Sequence, residues 1–338
     1  MPILKGDFLD TIDRRLLDQI QRSFPIEECP YAVLAERLGL REDEVIWRIE
    51  SLKARRMVRQ ISAIFNTGAL GYQSSLVAMA VPTSYVERAA EAVNAYPGVS
   101  HNYLRPAPFN LWFTIAVPPG KSLNEVVARL SHEAGGWPTL ILPAVKKYKL
   151  AVVLDVLEDG ETDLVSTELS EISLEGAQGF QVSERNIRLV RCLQEDLPLE
   201  SRPFHSMAQH LNMGGDDLMA LIRQWLARHW IRRFAAVLNH RQVGFGANGM
   251  VVWQCDPLRI DHAGTILAAF PEVSHCYQRP AHSQWPYNLY AMIHGKTEEE
   301  CHQIAHRLAE AVDLGQYRIL FSTREFKKIR LKLFWNEP

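Results

Sequence analysis

A chain of 338 residues is long enough for two or more domains of about 150 residues, and its 47% apolar and 22% charged content excludes disordered, collagen-like and coiled-coil architectures. Thirty-seven Lys and Arg against thirty-nine Asp and Glu give a formal charge of -2, so the whole molecule has no electrostatic attraction for nucleic acid or an acidic membrane. Five cysteines (Cys29, Cys192, Cys255, Cys276, Cys301) never fall in C-x-x-C spacing, which disfavours a disulfide framework and a zinc ribbon and fits a reducing compartment.

In chain order, Met1–Asp7 lacks the apolar core of a signal peptide, and no later run approaches the roughly 18 apolar residues of a membrane span, so a cytoplasmic location without membrane contact is expected. Ile12, Leu16, Leu17 and Ile20 predict a helix that stops near Phe24-Pro25. Pro30 opens a short helix through Leu34, Ala35 and Leu38 that ends at Gly39, and a third carries Val45, Ile46, Ile49 and Leu52 before a β-rich stretch from Met57 to Phe65. Three helices and a wing make a winged helix-turn-helix. The pattern after Gly71 is strand (75–81), helix (86–95), strand (99–105), strand (111–117), helix (123–134) and strand (140–153), the βαββαβ order of a ferredoxin-like domain. From about Asp155 to Glu175 every charge is acidic, which reads as a solvated linker.

The whole unit then repeats. A shift of 173 residues superposes Pro25 on Pro198, Pro30 on Pro203, Leu38 on Leu211, Ile49 on Ile222, Arg55 on Arg228, Asn66 on Asn239 and Gly71 on Gly244. One further residue brings Val99-Ser100-His101-Asn102-Tyr103-Leu104-Arg105 over Val273-Ser274-His275-Cys276-Tyr277-Gln278-Arg279, the best-matched stretch; His282-Ser283-Gln284-Trp285 is then inserted in the second copy only. The expected organisation is α+β: winged helices at 1–66 and 181–239, ferredoxin-like domains at 67–157 and 240–338, and an acidic linker at 158–180.

This architecture resembles the Lrp/AsnC regulators, which implies a DNA reader. Yet the third helix begins with Glu42, Asp43 and Glu44 in copy one and carries Asp216 and Asp217 in copy two, where a reader of the major groove needs donors. No specific DNA binding is therefore expected, and Arg55, Arg56 and Arg59 are read as complementing a helix end. Strand alternation places Val99, His101, Tyr103 and Arg105 on one face, and Val273, His275, Tyr277 and Arg279 on its counterpart. One reading is a satisfied structural face. The other, favoured by the recurrence of the trio, is a site combining a proton donor that titrates near neutrality, a hydroxyl and a carboxylate clamp, suited to an anion rich in carboxylates.

The run 99–105, followed by Phe109-Asn110-Leu111-Trp112-Phe113, resembles the siroheme decarboxylases, as do Phe65-Asn66-Thr67 and Leu70-Gly71-Tyr72. That family works as two related subunits, so the chain resembles both fused into one, with departures at Cys276, Gln278 and the insertion. The resemblance implies decarboxylation of the C12 and C18 acetates of siroheme to 12,18-didecarboxysiroheme, for heme d1 or alternative heme synthesis. No cofactor is expected, since the iron arrives with the substrate. His101 and His275 are the candidate catalytic residues, as proton donor or as axial iron ligand. Tyr103, Arg105, Tyr277, Arg279, Asn110, Trp112 and Asn288 are the candidate substrate contacts. The two halves are expected to pair as a pseudo-heterodimer, with a further homodimer left open; the alternative function is a ligand-sensing Lrp/AsnC-type regulator.

Three other patterns carry less. Gly244-Phe245-Gly246-Ala247-Asn248-Gly249 spells G-x-G-x-x-G but precedes a strand where a phosphate loop needs a helix, and is read as a turn. His302 and His306 lack a third metal ligand of suitable spacing. Trp112, Trp253 and Trp285 are read as core or cavity wall, with a stacking role invited only by Trp285.

Overall fold

A computed structural model of the chain describes residues 9–150, 179–238 and 247–335; nearly all of the acidic linker, and the first part of the Gly244–Gly249 motif, lie outside these. The chain divides into two compact units, Met1–Leu70 with Val153–Val243 and Gly71–Val152 with Gly244–Pro338. Each unit therefore takes the same part of both copies, so like pairs with like.

In the first unit, copy one supplies α1 (Thr11–Arg22), α2 (Pro30–Leu38), α3 (Glu42–Ala54) and β1 (Val58–Phe65). Copy two supplies α6 (Glu184–Leu193), α7 (Pro203–His210), α8 (Gly215–Ala227) and β7 (Ile231–Leu238). Asp10 caps α1 by accepting from the Asp13 amide, and Pro30 and Pro203 stand in the first turns of α2 and α7. Left-handed Gly39 (φ 68°) ends α2, and Asn212 (φ 53°) takes the same place after α7, Asn being among the residues that tolerate this region. The expected wing takes another form: β1 pairs antiparallel with β7, Ile61 opposite Ala236 and Ala63 opposite Phe234, so the ribbon is built from one strand of each copy. Phe24 packs on Phe234 and the buried Tyr31 hydroxyl donates to the Pro198 carbonyl at 2.8 Å, tying the copies through apolar contact and a satisfied polar group.

In the second unit, copy one runs β2 (Gln73–Met79), α4 (Val86–Ala95), β3 (Val99–Leu104), β4 (Leu111–Val117), α5 (Leu123–Glu133), β5 (Thr139–Leu142) and β6 (Lys146–Leu150). Copy two runs β8 (Ala247–Trp253), α9 (Ile260–Ala269), β9 (Val273–Gln278), β10 (Leu289–Gly295), α10 (Glu298–Ala311), β11 (Tyr317–Phe321) and β12 (Arg324–Lys328). The single strand expected over 140–153 is instead two. Pro143, which has no amide hydrogen for a ladder, follows β5, and β6 leaves for the other copy's sheet. The sheets are ordered β12-β3-β4-β2-β5 and β11-β8-β10-β9-β6, so each is bordered by the last described strand of the opposite copy.

Period-two alternation gives each sheet two apolar faces. Val77, Met79, Leu111, Phe113 and Ile115 bury against α4 and α5, and Val251, Trp253, Leu289, Ala291 and Ile293 against α9 and α10. The alternate residues, Ala78, Trp112, Leu140 and Leu142 from one sheet and Met250, Val252, Tyr290 and Leu320 from the other, form a shared core between the sheets. Among the described residues no helix is long and apolar enough to cross a membrane.

Candidate functional site

The best-matched stretches lie on β3 and β9, and a bulge decides which way they face. Val99 pairs with Ile115 but His101 with Thr114, leaving Ser100 as the extra residue; Val273 pairs with Ile293 and His275 with Met292, leaving Ser274. One extra residue reverses the alternation. Val99 and Val273 are therefore buried under the helices, and the expected face of four residues is His-Tyr-Arg without the valine. The remaining three do come together. His101 and Tyr103 have ring centroids 6.1 Å apart at 33°, and His275 and Tyr277 6.1 Å apart at 29°. The Arg105 guanidinium lies 5.5 Å from the Tyr103 ring, and that of Arg279 4.9 Å from Tyr277.

The bulges also deliver hydroxyls that the pattern of the sequence did not single out. Ser100 Oγ lies 2.9 Å from His101 Nδ1 and 2.9 Å from Thr114 Oγ1; Ser274 Oγ lies 2.8 Å from His275 Nδ1. Each serine holds Nδ1 of its imidazole and so fixes the ring plane. The signal was present, since Val-Ser-His recurs in both copies, but its meaning depends on the bulge.

The arginines differ from a pair of open carboxylate clamps. Arg105, 5% exposed, donates through Nη1 to the carbonyl of Leu320 on β11, and Arg279 donates through Nη1 to the carbonyl of Leu142 on β5. Each guanidinium thus crosses to the sheet of the other copy. Burial lowers both from the usual range, Arg105 to about 10; a guanidinium stays protonated in proteins, so the pair leaves a positive potential beneath the tyrosines.

Asn110 and Asn288 are spent on backbone. Asn110 accepts from the Val81 amide at 2.9 Å and donates to its carbonyl at 2.8 Å; Asn288 does the same with Cys255, both at 2.8 Å. Trp112, 1% exposed, donates to the Phe109 carbonyl at 2.7 Å. These three frame the site from inside the fold. Trp285, 1% exposed, is equally enclosed, against Phe109, Trp112 and Tyr287, with Nε1 donating to the Tyr290 hydroxyl at 2.8 Å; the stacking role that its insertion invited does not hold for a side chain so enclosed. His302 packs beside Phe321, and His306 Nε2 lies 3.4 Å from Glu310 Oε1, each with its own local partner.

Fold and site together define a tandem helix-turn-helix protein whose second unit is a pair of AsnC-like domains carrying twin His-Tyr-Arg faces. Residues 69–149 and 242–327 match the AsnC-like ligand binding domain, and residues 13–59 and 186–232 match the siroheme decarboxylase NirDL-like HTH domain. The chain belongs to the siroheme decarboxylase family. It is 39% identical over 324 residues to a siroheme decarboxylase of Hydrogenobacter thermophilus, covering 96% of this chain and 95% of that one. A siroheme decarboxylase beta subunit of Methanosarcina barkeri is 38% identical over 152 residues, all of its own length and 45% of this chain. The crystal structure of the siroheme decarboxylase NirDL in complex with an iron-uroporphyrin III analogue superposes with a TM-score of 0.75 at 34% identity, over 95% of this chain and 94% of that one.

Proposed function

We propose that this chain is a siroheme decarboxylase that converts the C12 and C18 acetates of siroheme to methyl groups, in heme d1 or alternative heme synthesis. The observation that carries the proposal is the duplicated face itself: a serine-held imidazole, a tyrosine and a buried cation, repeated at equivalent positions in a chain of this family. At each acetate the bond between the methylene and carboxylate carbons breaks, carbon dioxide leaves, and the electron pair stays with the pyrrole. One proton then completes the methyl group. The step consumes a proton and no electrons, so it needs no cofactor beyond the iron that the substrate brings.

On this reading His101 or His275 delivers that proton from Nε2, Nδ1 being held by serine. Tyr103 and Tyr277 orient the reacting edge, and the buried guanidiniums beneath them favour an anion at the face. The relative bound to an iron-uroporphyrin analogue supports a tetrapyrrole of the same chemical class here. Both halves of the pseudo-heterodimer reside in one chain, so the reading needs no second copy. A reducing cytoplasm, the setting we favour, agrees with cysteines that are all free.

The test is anaerobic mixing with siroheme, following carbon dioxide and product mass for wild type, His101→Ala and His275→Ala. The variant lacking the true donor should lose about a hundredfold or more in kcat while still binding siroheme. Wild-type turnover in both variants would make the face structural. Loss of the iron-dependent spectral change on binding would instead mark the histidine as an axial ligand.

A further inference from the structure

The exchanged strands add side chains to these faces that neither copy supplies for itself. Directly paired residues of an antiparallel ladder point to the same side, with Cβ atoms about 4.5–5.5 Å apart. β12 pairs Lys328 with His101 and Glu325 with Tyr103, and β6 pairs Lys147 with Tyr277. Both exchanged strands are irregular at the same place, between Glu325 and Lys327 and between Lys147 and Lys149, and this sorts their lysines.

Lys327 and Lys149 turn to the helix side. Lys327 Nζ donates to the Asn94 carbonyl at 2.7 Å and Lys149 Nζ to the Phe270 carbonyl at 2.7 Å, while Lys146 meets Asp261 on α9 at 2.9 Å. These cations anchor the strands. Lys328, half-buried, and Lys147, exposed, share the side of His101 and Tyr277.

We infer that Lys328 and Lys147 bind peripheral carboxylates of the tetrapyrrole, so that each copy's face takes its carboxylate-binding ammonium from the other copy. The inference rests on the siroheme reading. A macrocycle rich in carboxylates needs cations that reach its rim, and each arginine lies beneath its tyrosine with one donor given to a main-chain carbonyl of the other copy's sheet. A lysine on a flexible stem, at the rim of the face, supplies a point charge without having to be buried. The two faces then differ in register. The cation stands beside the histidine in copy one, with Glu325 beside the tyrosine, and beside the tyrosine in copy two, a displacement of about 7 Å along the strand. The same anionic ring would settle differently on each.

The experiment titrates the full chain, and the variants Lys328→Met, Lys147→Met and Glu325→Gln, with iron uroporphyrin III (eight carboxylates) and iron deuteroporphyrin (two) at low and moderate salt. Siroheme turnover is measured in parallel, and circular dichroism confirms folding. Each lysine variant should weaken the octacarboxylate about tenfold and flatten its salt dependence, with less than a twofold change for the dicarboxylate. Lys→Arg should restore binding, and Glu325→Gln should tighten the octacarboxylate. Unchanged affinity and salt dependence in both lysine variants would overturn the inference, as would equal losses for the two porphyrins, which would make the lysines scaffold. A wild-type chain that binds neither porphyrin and leaves siroheme intact would remove the decarboxylase reading itself, and this inference with it.

Discussion

Ser274 Oγ stands 2.7 Å from His294 Nε2, and because the same oxygen contacts His275 Nδ1, one hydroxyl joins two imidazoles in copy two. A hydroxyl has one proton to give, so it cannot donate to both. Copy one has Thr114 as the second partner of Ser100 and Ala116 at the position of His294, so only copy two carries this link.

Replacing the bridge should therefore cost more than replacing its far end. Ser274→Ala is expected to lower kcat about tenfold with binding of iron uroporphyrin III unchanged, and His294→Ala less. Unaltered steady-state kinetics in Ser274→Ala would show that the ring needs no such anchor or that copy two is not the productive half; Ser100→Ala separates these outcomes.

Arg105→Ala and Arg279→Ala should act first on stability. Each leaves a main-chain carbonyl, of Leu320 or Leu142, without its charged donor, an expected loss of about 1–3 kcal/mol in denaturant unfolding. Weakened siroheme binding at wild-type stability would return the arginines to the role of open clamps.

The exchanged strand β6 depends on an absent side chain. A Cβ on Gly264 would lie 2.4 Å from the Tyr148 ring, closer than packed atoms approach. Gly264→Ala is expected to lower Tm by several degrees, and the double variant with Tyr148→Leu to recover part of it. Equal melting of wild type and Gly264→Ala would show that the tyrosine moves aside without cost.

Halves made separately, residues 1–157 and 181–338, should each lack turnover, because each sheet lacks its closing strand and each face its partner's contacts. Mixing them should restore carbon dioxide release; full activity of either half alone would reduce the other copy to a scaffold.

Specific DNA affinity should be absent. Acids at the starts of α1 and α3 are matched within the protein, Asp43 by Arg41 and Asp10, Asp13 and Glu44 by Arg48, so these arginines are already committed to carboxylates. Nanomolar, salt-sensitive binding to one promoter fragment in a titration would contradict this.

Helix 86–95 and strand 111–117 were legible to the residue because their burial is decided locally, by apolar spacing against one partner. The His-Tyr-Arg trio was legible from its recurrence. Its surroundings were not. Ser100 and Ser274 look like ordinary strand residues until a bulge sets them beside the histidines, and one residue of slip is invisible to a period of two. Lys-Lys-Tyr-Lys over 146–149 signals a strand but carries no address, so its place in the other copy's sheet is a property of the pairing. The roles of Asn110 and Asn288 likewise turn on loop partners distant in the sequence, Val81 and Cys255.

Trp285 has a bearing on how such a chain can evolve. Phe109 and Trp112 occupy the positions that Tyr287 and Tyr290 occupy in the other copy, and the indole touches all four, so it sits where the two repeats meet. In an assembly of two identical subunits, any such insertion would arrive twice, and two indoles would compete for one volume. A gene that encodes both repeats in series escapes that constraint: a change can enter one half alone and be accommodated by the other. The single tryptophan thus records divergence after duplication, open only to a pair whose members are no longer the same.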